Sequence, residues 1–180
     1  VKIFSQLLDE RYKGKLKLKY EFETDAIPAD LKLVAEDMNT LKIELNGAEI
    51  HKENALEDEP HTFVYNAAKL VKKGKNEIVI TLDYYQSDSV YYALFGEGVT
   101  ESLRNCMVYN TALESVYLIG DFGVYPVNLR GGMTDNTAVA DGFVLGAPKT
   151  EIRDFLTDGL ATFAGSVTLE SEIDMGDGNR

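Results

Sequence analysis

LKLVAEDMNTLKIELNGAEI (Leu31–Ile50) opens the part of the chain that decides its fold. In two runs within it, Leu31–Glu36 and Leu41–Leu45, apolar side chains stand at every second position. A period of two is typical of a strand with one face on a core and the other in water. Asn46 and Gly47 follow, and both tolerate the positive φ angles that a type I′ hairpin turn requires. The segment therefore predicts two strands, the second of which enters a tight hairpin.

A second corner, Gly74-Lys75-Asn76, stands before another alternating run in KGKNEIVITLDYYQ. The apolar side chains of these three runs are expected to be mostly buried; they are Leu33, Leu41, Ile43, Leu45, Ile78, Ile80 and Leu82. Strands that alternate in this way and meet at tight corners are typical of antiparallel sheets packed in two layers. The sequence predicts an all-β chain folded as an antiparallel β-sandwich.

Further strands are expected on both sides of this segment. They are an edge strand over Val1–Leu8 and strands over Thr62–Tyr65, Leu113–Ile119, Val139–Leu145 and Ala164–Ile173, the last closing the fold. The acidic stretch Glu53–Pro60 is expected to be a loop. Turn signals at this spacing leave little room for helix. We expect one domain over residues 1–180, with a core from about residue 15 to 173.

These motifs support a resemblance to a known family. Leu31–Ile50 resembles the strand, short loop, strand and Asn-Gly core of the sugar-binding jelly roll in family 2-type glycoside hydrolases. Phe63–Gln86 resembles that module's later signature, in which a Lys-Gly-x-Asn corner leads to a long buried strand, and Leu16–Glu23 resembles its opening strand. Tyr91–Val124, with the motifs ALFG, ESLRN and VYLIGDFGV, is similar to a segment of large bacterial α-L-rhamnosidase-like hydrolases.

The resemblance implies a galactose-binding-like jelly roll and covers roughly residues 15 to 165. It implies a non-catalytic carbohydrate-binding or bracing module of a glycoside hydrolase that acts on plant or other complex polysaccharide. The expected partners are carbohydrate and the neighbouring domains of a larger protein from which this chain is excised. Two alternatives stay open: a structural or protein-interaction jelly roll without a sugar site, and, least favoured, a free-standing hydrolase with its own carboxylate pair.

The charge of the chain limits its partners. It has 30 acidic and 18 basic residues, a formal net charge of −12. Such a field repels phosphate backbones and anionic lipid, so we expect neither nucleic acid nor a membrane surface as partner. No signal peptide is expected over Val1–Tyr12, and the compartment stays open between the bacterial cytoplasm and secretion. The single cysteine, Cys106, excludes an intrachain disulfide, and its apolar neighbours predict burial.

No catalytic constellation stands out. Glycoside hydrolysis usually requires two carboxylates about 5 to 10 Å apart, and 30 acidic residues offer many pairs by chance. The nucleophile elbow G-x-S-x-G is absent, and in enzymes of the resembled kind the acid and base lie on a separate barrel domain. We expect no catalytic site in this chain, while the parent protein is expected to be an α-L-rhamnosidase-like hydrolase. His51 and His61 with Glu57 or Asp58 would bind a metal only if their loop folded back, and a solvated loop is favoured.

Tyrosines carry the expectation of sugar binding. Tyr84-Tyr85 and Tyr91-Tyr92 bracket a short loop, and strand alternation places the two members of each pair on opposite faces. One tyrosine of each pair is therefore expected at the surface, where a ring can stack on a sugar. The candidate carbohydrate-binding residues are Tyr85 and Tyr92, with Arg104 and Asn105 as hydrogen-bonding neighbours. In the plainer interpretation, these tyrosines pack the sandwich edge with their hydroxyls in water.

Carboxylates in two glycine-rich stretches are the remaining candidate site residues. Asp121, between Gly120 and Gly123 in the rhamnosidase-like motif, predicts a sharp corner. Its carboxylate would hold backbone N–H groups, or line a carbohydrate-binding groove shared with a neighbouring domain. Asp135, Asn136 and Asp141 lie in or next to the longest weakly structured stretch, Asn128–Ala138, and oxygen ligands of this kind suit a structural calcium ion. No other cofactor is expected.

Overall fold

The computed structural model describes residues 2–56, 58–131 and 137–171, and these residues form ten strands and three short helices. In chain order the elements are α1 (Lys2–Asp9), β1 (Gly14–Thr24), β2 (Leu31–Glu36), β3 (Thr40–Leu45), β4 (Ala48–Ile50), β5 (Lys52–Leu56), β6 (Glu59–Asn66), β7 (Gly74–Tyr84), α2 (Asp88–Phe95), α3 (Glu101–Asn105), β8 (Val116–Gly120), β9 (Gly123–Val127) and β10 (Gly142–Gly146). The chain is mostly β, as its alternating runs predict.

The strands form two sheets. The larger has six strands in the order β4-β3-β7-β1-β10-β9, and the smaller has four in the order β5-β6-β2-β8. Neighbouring strands are antiparallel except β1 and β10, which run parallel with Glu23 opposite Val144. The expectation of a purely antiparallel fold is therefore wrong at this pair. Parallel pairing requires a long connection, and more than half of the chain separates these two strands.

The core lies between the two sheets. Side chains from the small sheet, among them Leu31, Leu33 and Tyr65, belong to one buried cluster with Ile43 and Ile80 of the large sheet. Each such side chain contributes roughly 1.5 to 3 kcal/mol by leaving water. Two sheets that share one apolar core are consistent with the predicted β-sandwich.

Six of the seven apolar residues expected in this core are buried, and Leu41 is the exception. Thr40 lies opposite Leu82 and Lys42 lies opposite Thr81, so the register of β3 against β7 shifts between them. Leu41 is the extra residue of this bulge, and 54% of its surface is exposed. The prediction that it is buried is wrong because a bulge breaks the alternation of faces.

Both predicted corners are present. Asn46 and Gly47 have φ angles of 53° and 83°, as a type I′ turn requires, and they join β3 to β4 with Leu45 opposite Ala48. Gly74, at the start of β7, has a φ of 86°. The turn chemistry read from the sequence is therefore confirmed.

The expected edge strand over Val1–Leu8 is wrong, because Lys2–Asp9 is the helix α1. Apolar residues at positions 3, 4, 7 and 8 recur at the helical spacing. Phe4 and Leu7 pack against the core cluster, and the ring of Phe4 lies edge-on to Tyr84 with centroids 6.4 Å apart. This helix covers the end of the core at which β7 finishes.

Three other local expectations are corrected. Tyr91 and Tyr92 lie in α2 and not in a strand. Most of Glu53–Pro60 belongs to β5 and β6, which pair as a hairpin. Residues 164–171 contain no strand, and Ile173 lies outside the described residues.

Cys106 is exposed, which contradicts its expected burial. It follows α3, a single helical turn in which no residue is buried. Among the described residues, none of the helices has the length and hydropathy of a membrane span.

Candidate functional site

A surface cavity of about 460 Å³ lies where β7 ends and α2 begins. The turn after α1 forms its other wall. Side chains that line it include Arg11, Lys13, Tyr85, Gln86, Asp88 and Tyr91. Two tyrosines, two cations and a carboxylate thus line one opening at the end of the sandwich.

Each tyrosine pair has one buried and one exposed member, as expected. Tyr84 is fully buried while Tyr85 is 37% exposed; Tyr91 is 6% exposed and Tyr92 is 56% exposed. For the first pair the reason is strand alternation at the end of β7. For the second pair the reason is the helical step of α2, which turns successive side chains by about 100°.

Hydrogen bonds hold the loop that carries Tyr85. Nε2 of Gln86 donates to the carbonyl oxygen of Thr111 at 2.6 Å, and Oε1 of Gln86 accepts from the N–H of Asn110 at 2.9 Å. Oδ1 of Asn110 in turn accepts from the N–H of Ser87 at 2.8 Å. Gln86 is itself buried. The ring of Tyr85 is therefore presented from a fixed backbone, which lowers the entropic cost of binding a ligand.

Arg11 reaches the cavity from the end of α1. The backbone N–H of Arg11 donates to the carbonyl of Leu8, and the backbone N–H of Tyr12 donates to the carbonyl of Leu7. The helix therefore ends in a tight turn. Arg11 has a φ of 49°, the left-handed conformation that glycine usually supplies at such helix ends. This backbone places the guanidinium carbon 4.8 Å from the centre of the Tyr91 ring, within the range of a cation–π contact.

An aromatic cluster lies beneath the cavity. The ring of Tyr12 lies 6.2 Å from that of Tyr84, and Phe4 contacts both Tyr84 and Tyr109. Burial raises the pKa of Tyr84, so its phenol stays neutral. Among the described residues the buried hydroxyl of Tyr91 has no hydrogen-bond partner. Tyr91, on which Arg11 rests, is itself buried.

Three of the predicted site residues lie on the helices beside the cavity but do not line it. Tyr92 is on α2, where its ring packs against Gly96 at the end of the helix. Arg104 and Asn105 are exposed on α3, which contacts α2. The structure therefore brings Tyr85 into the cavity and leaves these three side chains on the adjoining surface.

Asp121 lies at the other end of the sandwich. Its N–H donates to the carbonyl of Asp30 at 3.1 Å, immediately before β2 begins. Tyr85 lies beyond the opposite end of β2. Its N–H donates to the hydroxyl oxygen of Thr111, and the side-chain amide of Asn39, just after the end of β2, donates to the same oxygen. The six residues of β2 span about 20 Å. The sharp corner predicted at Asp121 is present, but Asp121 and Tyr85 do not share a site.

Of the residues proposed as calcium ligands, Asp141 is bonded to protein side chains. Asp141 accepts hydrogen bonds from Arg130 at 2.7 Å and from Asn128 at 3.1 Å, and these contacts, Arg130 first, lower its pKa. Asp135 and Glu57 lie outside the described residues. Within the described ranges, no three His, Cys, Asp or Glu side chains are grouped as metal ligands would be. A calcium ion at Asp135 and Asp141 stays a prediction.

The two histidines are exposed and lie far apart along the β5–β6 hairpin. Lys52, next to His51, pairs with Tyr65, which is four residues beyond His61 on β6. Four residues of strand span about 13 Å, too far for both rings to bind one ion.

Arg11, Lys13 and Asp88 were not among the sequence-based candidates. A signal for Arg11 existed, because the helical spacing of apolar residues 3, 4, 7 and 8 predicts a helix that ends near it. The contact between Arg11 and Tyr91 depends on how α1 packs on the sheet, and no local sequence pattern predicts that packing.

A second cavity, of about 270 Å³, lies on the outer face of the small sheet. Val34, Leu56 and Leu118 form part of its lining, together with the exposed side chains of Tyr117 and Ile119. β8 is an edge strand of this sheet.

No protein-family model matches the chain, and no curated protein is significantly similar to it in sequence. The geometry of these two surfaces and the motifs in the sequence are therefore the features that bear on function.

Proposed function

We propose that this chain is a non-catalytic carbohydrate-binding module, a jelly roll of the galactose-binding type from a family 2-type or α-L-rhamnosidase-like glycoside hydrolase. The two-sheet fold is compatible with this assignment, and the Asn-Gly and Lys-Gly-x-Asn corners support it. One observation carries the proposal. The half-exposed ring of Tyr85 lines a cavity that also presents Arg11, Lys13 and Asp88.

This arrangement matches the chemistry of a sugar ring. The C–H face of a pyranose stacks on Tyr85, Arg11 and Lys13 donate hydrogen bonds to oxygen atoms, and Asp88 accepts them from hydroxyl groups. A single stacked ring gives weak binding, with a dissociation constant of about 1 mM, equivalent to about −4 kcal/mol. Such an affinity suits a module that keeps an enzyme near its polysaccharide.

We assign no catalytic activity to this cavity. Among the described residues that line it, Asp88 is the one carboxylate, whereas glycoside hydrolysis usually requires two. We therefore expect the isolated chain to hydrolyse aryl glycosides no faster than a buffer control. Activity that disappears when a single carboxylate is changed to its amide would contradict this assignment.

The test is an NMR titration with rhamnose, galactose and plant-polysaccharide oligomers. Binding should shift the amide signals of Tyr85, Gln86 and Asp88, and Tyr85→Ala should abolish these shifts without lowering the melting temperature appreciably. Tyr92→Ala is the matched control, because Tyr92 is a more exposed tyrosine nearby that does not line the cavity. The absence of shifts with every sugar, or equal shifts in wild type and Tyr85→Ala, would overturn the proposal.

The outer face of the small sheet favours a second candidate function, bracing of a neighbouring domain. Tyr117 on this face is 59% exposed and borders the apolar cavity, while Glu36 and Glu59 also line it. Exposed apolar patches of this kind mark contact surfaces, and the two glutamates fit a partner surface that carries Lys or Arg.

Binding of an apolar fluorescent dye tests this second function. The double variant Tyr117→Ser, Ile119→Ser should reduce dye binding while the unfolding midpoint stays close to that of the wild type. If dye binding is unchanged, the patch is not a contact surface. Loss of dye binding together with a failure of every sugar titration would make bracing the better account.

A further inference from the structure

We infer that the sugar bound at this cavity carries a carboxylate, so that the ligand class is an acidic oligosaccharide that contains hexuronic acid. The inference rests on the proposed function, because it names the substrate class of the same cavity. It depends on the charges around Tyr85 and on how Arg11 is held.

The cavity has the opposite charge to the molecule. The chain has a formal net charge of −12, yet the side chains lining the cavity include two cations, Arg11 and Lys13, and one carboxylate, Asp88. A neutral sugar requires no local excess of positive charge. A carboxylated sugar does, because without it the field of the acidic molecule would repel the ligand.

Both cations are available to a ligand. Among the described residues, neither Arg11 nor Lys13 forms an ion pair within 4.0 Å. Arg11 instead rests on the face of Tyr91. A stacked guanidinium keeps the N–H groups along its edge free to donate to a carboxylate.

The backbone of Arg11 points to the same conclusion. Its φ of 49° is a conformation in which a side chain is strained and glycine is not. A glycine at position 11 would therefore end α1 with less strain, but it would remove the guanidinium from the cavity. Strain of this kind is often retained at binding sites, where the surrounding structure holds the residue in place.

Recognition then follows from the geometry. The pyranose ring stacks on Tyr85, and its carboxylate pairs with the two N–H groups of the planar guanidinium, with Lys13 as a second donor. Asp88 would repel that carboxylate, so the ligand must orient it towards Arg11 and offer hydroxyl groups to Asp88.

The experiment compares two ligands of equal length, an oligomer of galacturonic acid and an oligomer of galactose, by NMR titration at low and moderate salt. Wild type should bind the acidic oligomer at least about tenfold more tightly, a difference that one charge-assisted pair supplies. Added salt should weaken only the acidic ligand.

The variant Arg11→Gln should remove this preference and retain weak binding of both oligomers. Arg104→Gln is the matched control, since Arg104 is an exposed arginine outside the cavity, and it should behave as wild type. Arg11→Gly separates binding from folding, because it should lose the preference while its melting temperature does not fall.

The outcomes distinguish the two proposals. Equal affinity of wild type for both oligomers, or a preference that survives in Arg11→Gln, overturns this inference and leaves sugar binding intact. Failure of both oligomers and of the neutral sugars to shift any signal near Tyr85 overturns the proposed function and this inference with it.

Discussion

The side-chain amides of Asn46 and Asn76 are bonded to each other, with Nδ2 of Asn46 2.9 Å from Oδ1 of Asn76. Asn46 is the first residue of the β3–β4 hairpin turn, and Asn76 lies near the start of β7. Asn46 also binds the backbone of Leu70 and Glu77. The two corners that stand out separately in the sequence therefore form one hydrogen-bonded unit.

We expect Asn76→Ala to lower the free energy of unfolding by about 3 kcal/mol, because it leaves buried backbone groups unpaired. The Asn76 amide accepts from the N–H of Lys72 and donates to the carbonyls of Lys72 and Gly74, and its side chain is buried. Urea unfolding measures the change. Asn54→Ala is the control, since Asn54 is exposed, and equal effects of the two variants would show that the network contributes nothing.

Gly120→Ala should be strongly destabilising, by at least about 3 kcal/mol. Gly120 has a φ of 153°, and a Cβ atom there would lie 2.0 Å from the carbonyl oxygen of Asp30. At Gly142 an added Cβ atom would meet no atom within 4 Å. Gly142→Ala should therefore change stability by less than about 0.5 kcal/mol. Thermal unfolding of both variants checks the contrast, and similar melting temperatures would contradict it.

The stability contributed by Asp158 should depend on pH. Lys149 first, and then the backbone N–H groups of Asp154 and Arg153, hold the pKa of Asp158 well below its ordinary value of 3.8. A carboxyl whose pKa is lowered by folding stabilises the protein above the unfolded pKa, and this stabilisation is lost as pH falls through the folded pKa.

Asp158→Asn should therefore lower the urea midpoint most at neutral pH, and the difference from wild type should shrink progressively below about pH 4. Urea midpoints measured across the acid range test this. Glu151→Gln is the control because Glu151, paired with Arg153 at 3.4 Å, is highly exposed. A difference between wild type and Asp158→Asn that is constant with pH would contradict the role of the ionised carboxylate.

Cys106 should react with a thiol reagent in the folded protein. It is the single cysteine of the chain and lies exposed at the end of α3. We expect one equivalent to react at a rate within a few-fold of that in urea, because no local unfolding is required. Spectrophotometry of the released reagent follows the reaction, and protection that disappears only on unfolding would show that the thiol is buried.

Local patterns in the sequence were sufficient for much of the fold. The alternation in Leu31–Glu36 and in Ile78–Leu82 predicted β2 and β7, and Asn46-Gly47 predicted the hairpin turn. The same alternation predicted that Tyr84 is buried and Tyr85 exposed. Short-range features of this kind are decided by neighbouring residues, so they can be read before any tertiary contact is known. The helix α1 was missed although the spacing of its apolar residues is helical.

Only the tertiary structure decided which residues meet. The bulge that exposes Leu41 depends on the register against β7, and the distance between Tyr85 and Asp121 depends on their positions at opposite ends of β2. The contact of Arg11 with Tyr91 joins residues 80 positions apart. The sequence by itself determined β2, β7, the two corners and the exposed member of the Tyr84–Tyr85 pair, since these follow from backbone periodicity. The cavity was decided by tertiary packing, because long-range contacts follow from strand order and register, which local sequence patterns do not specify.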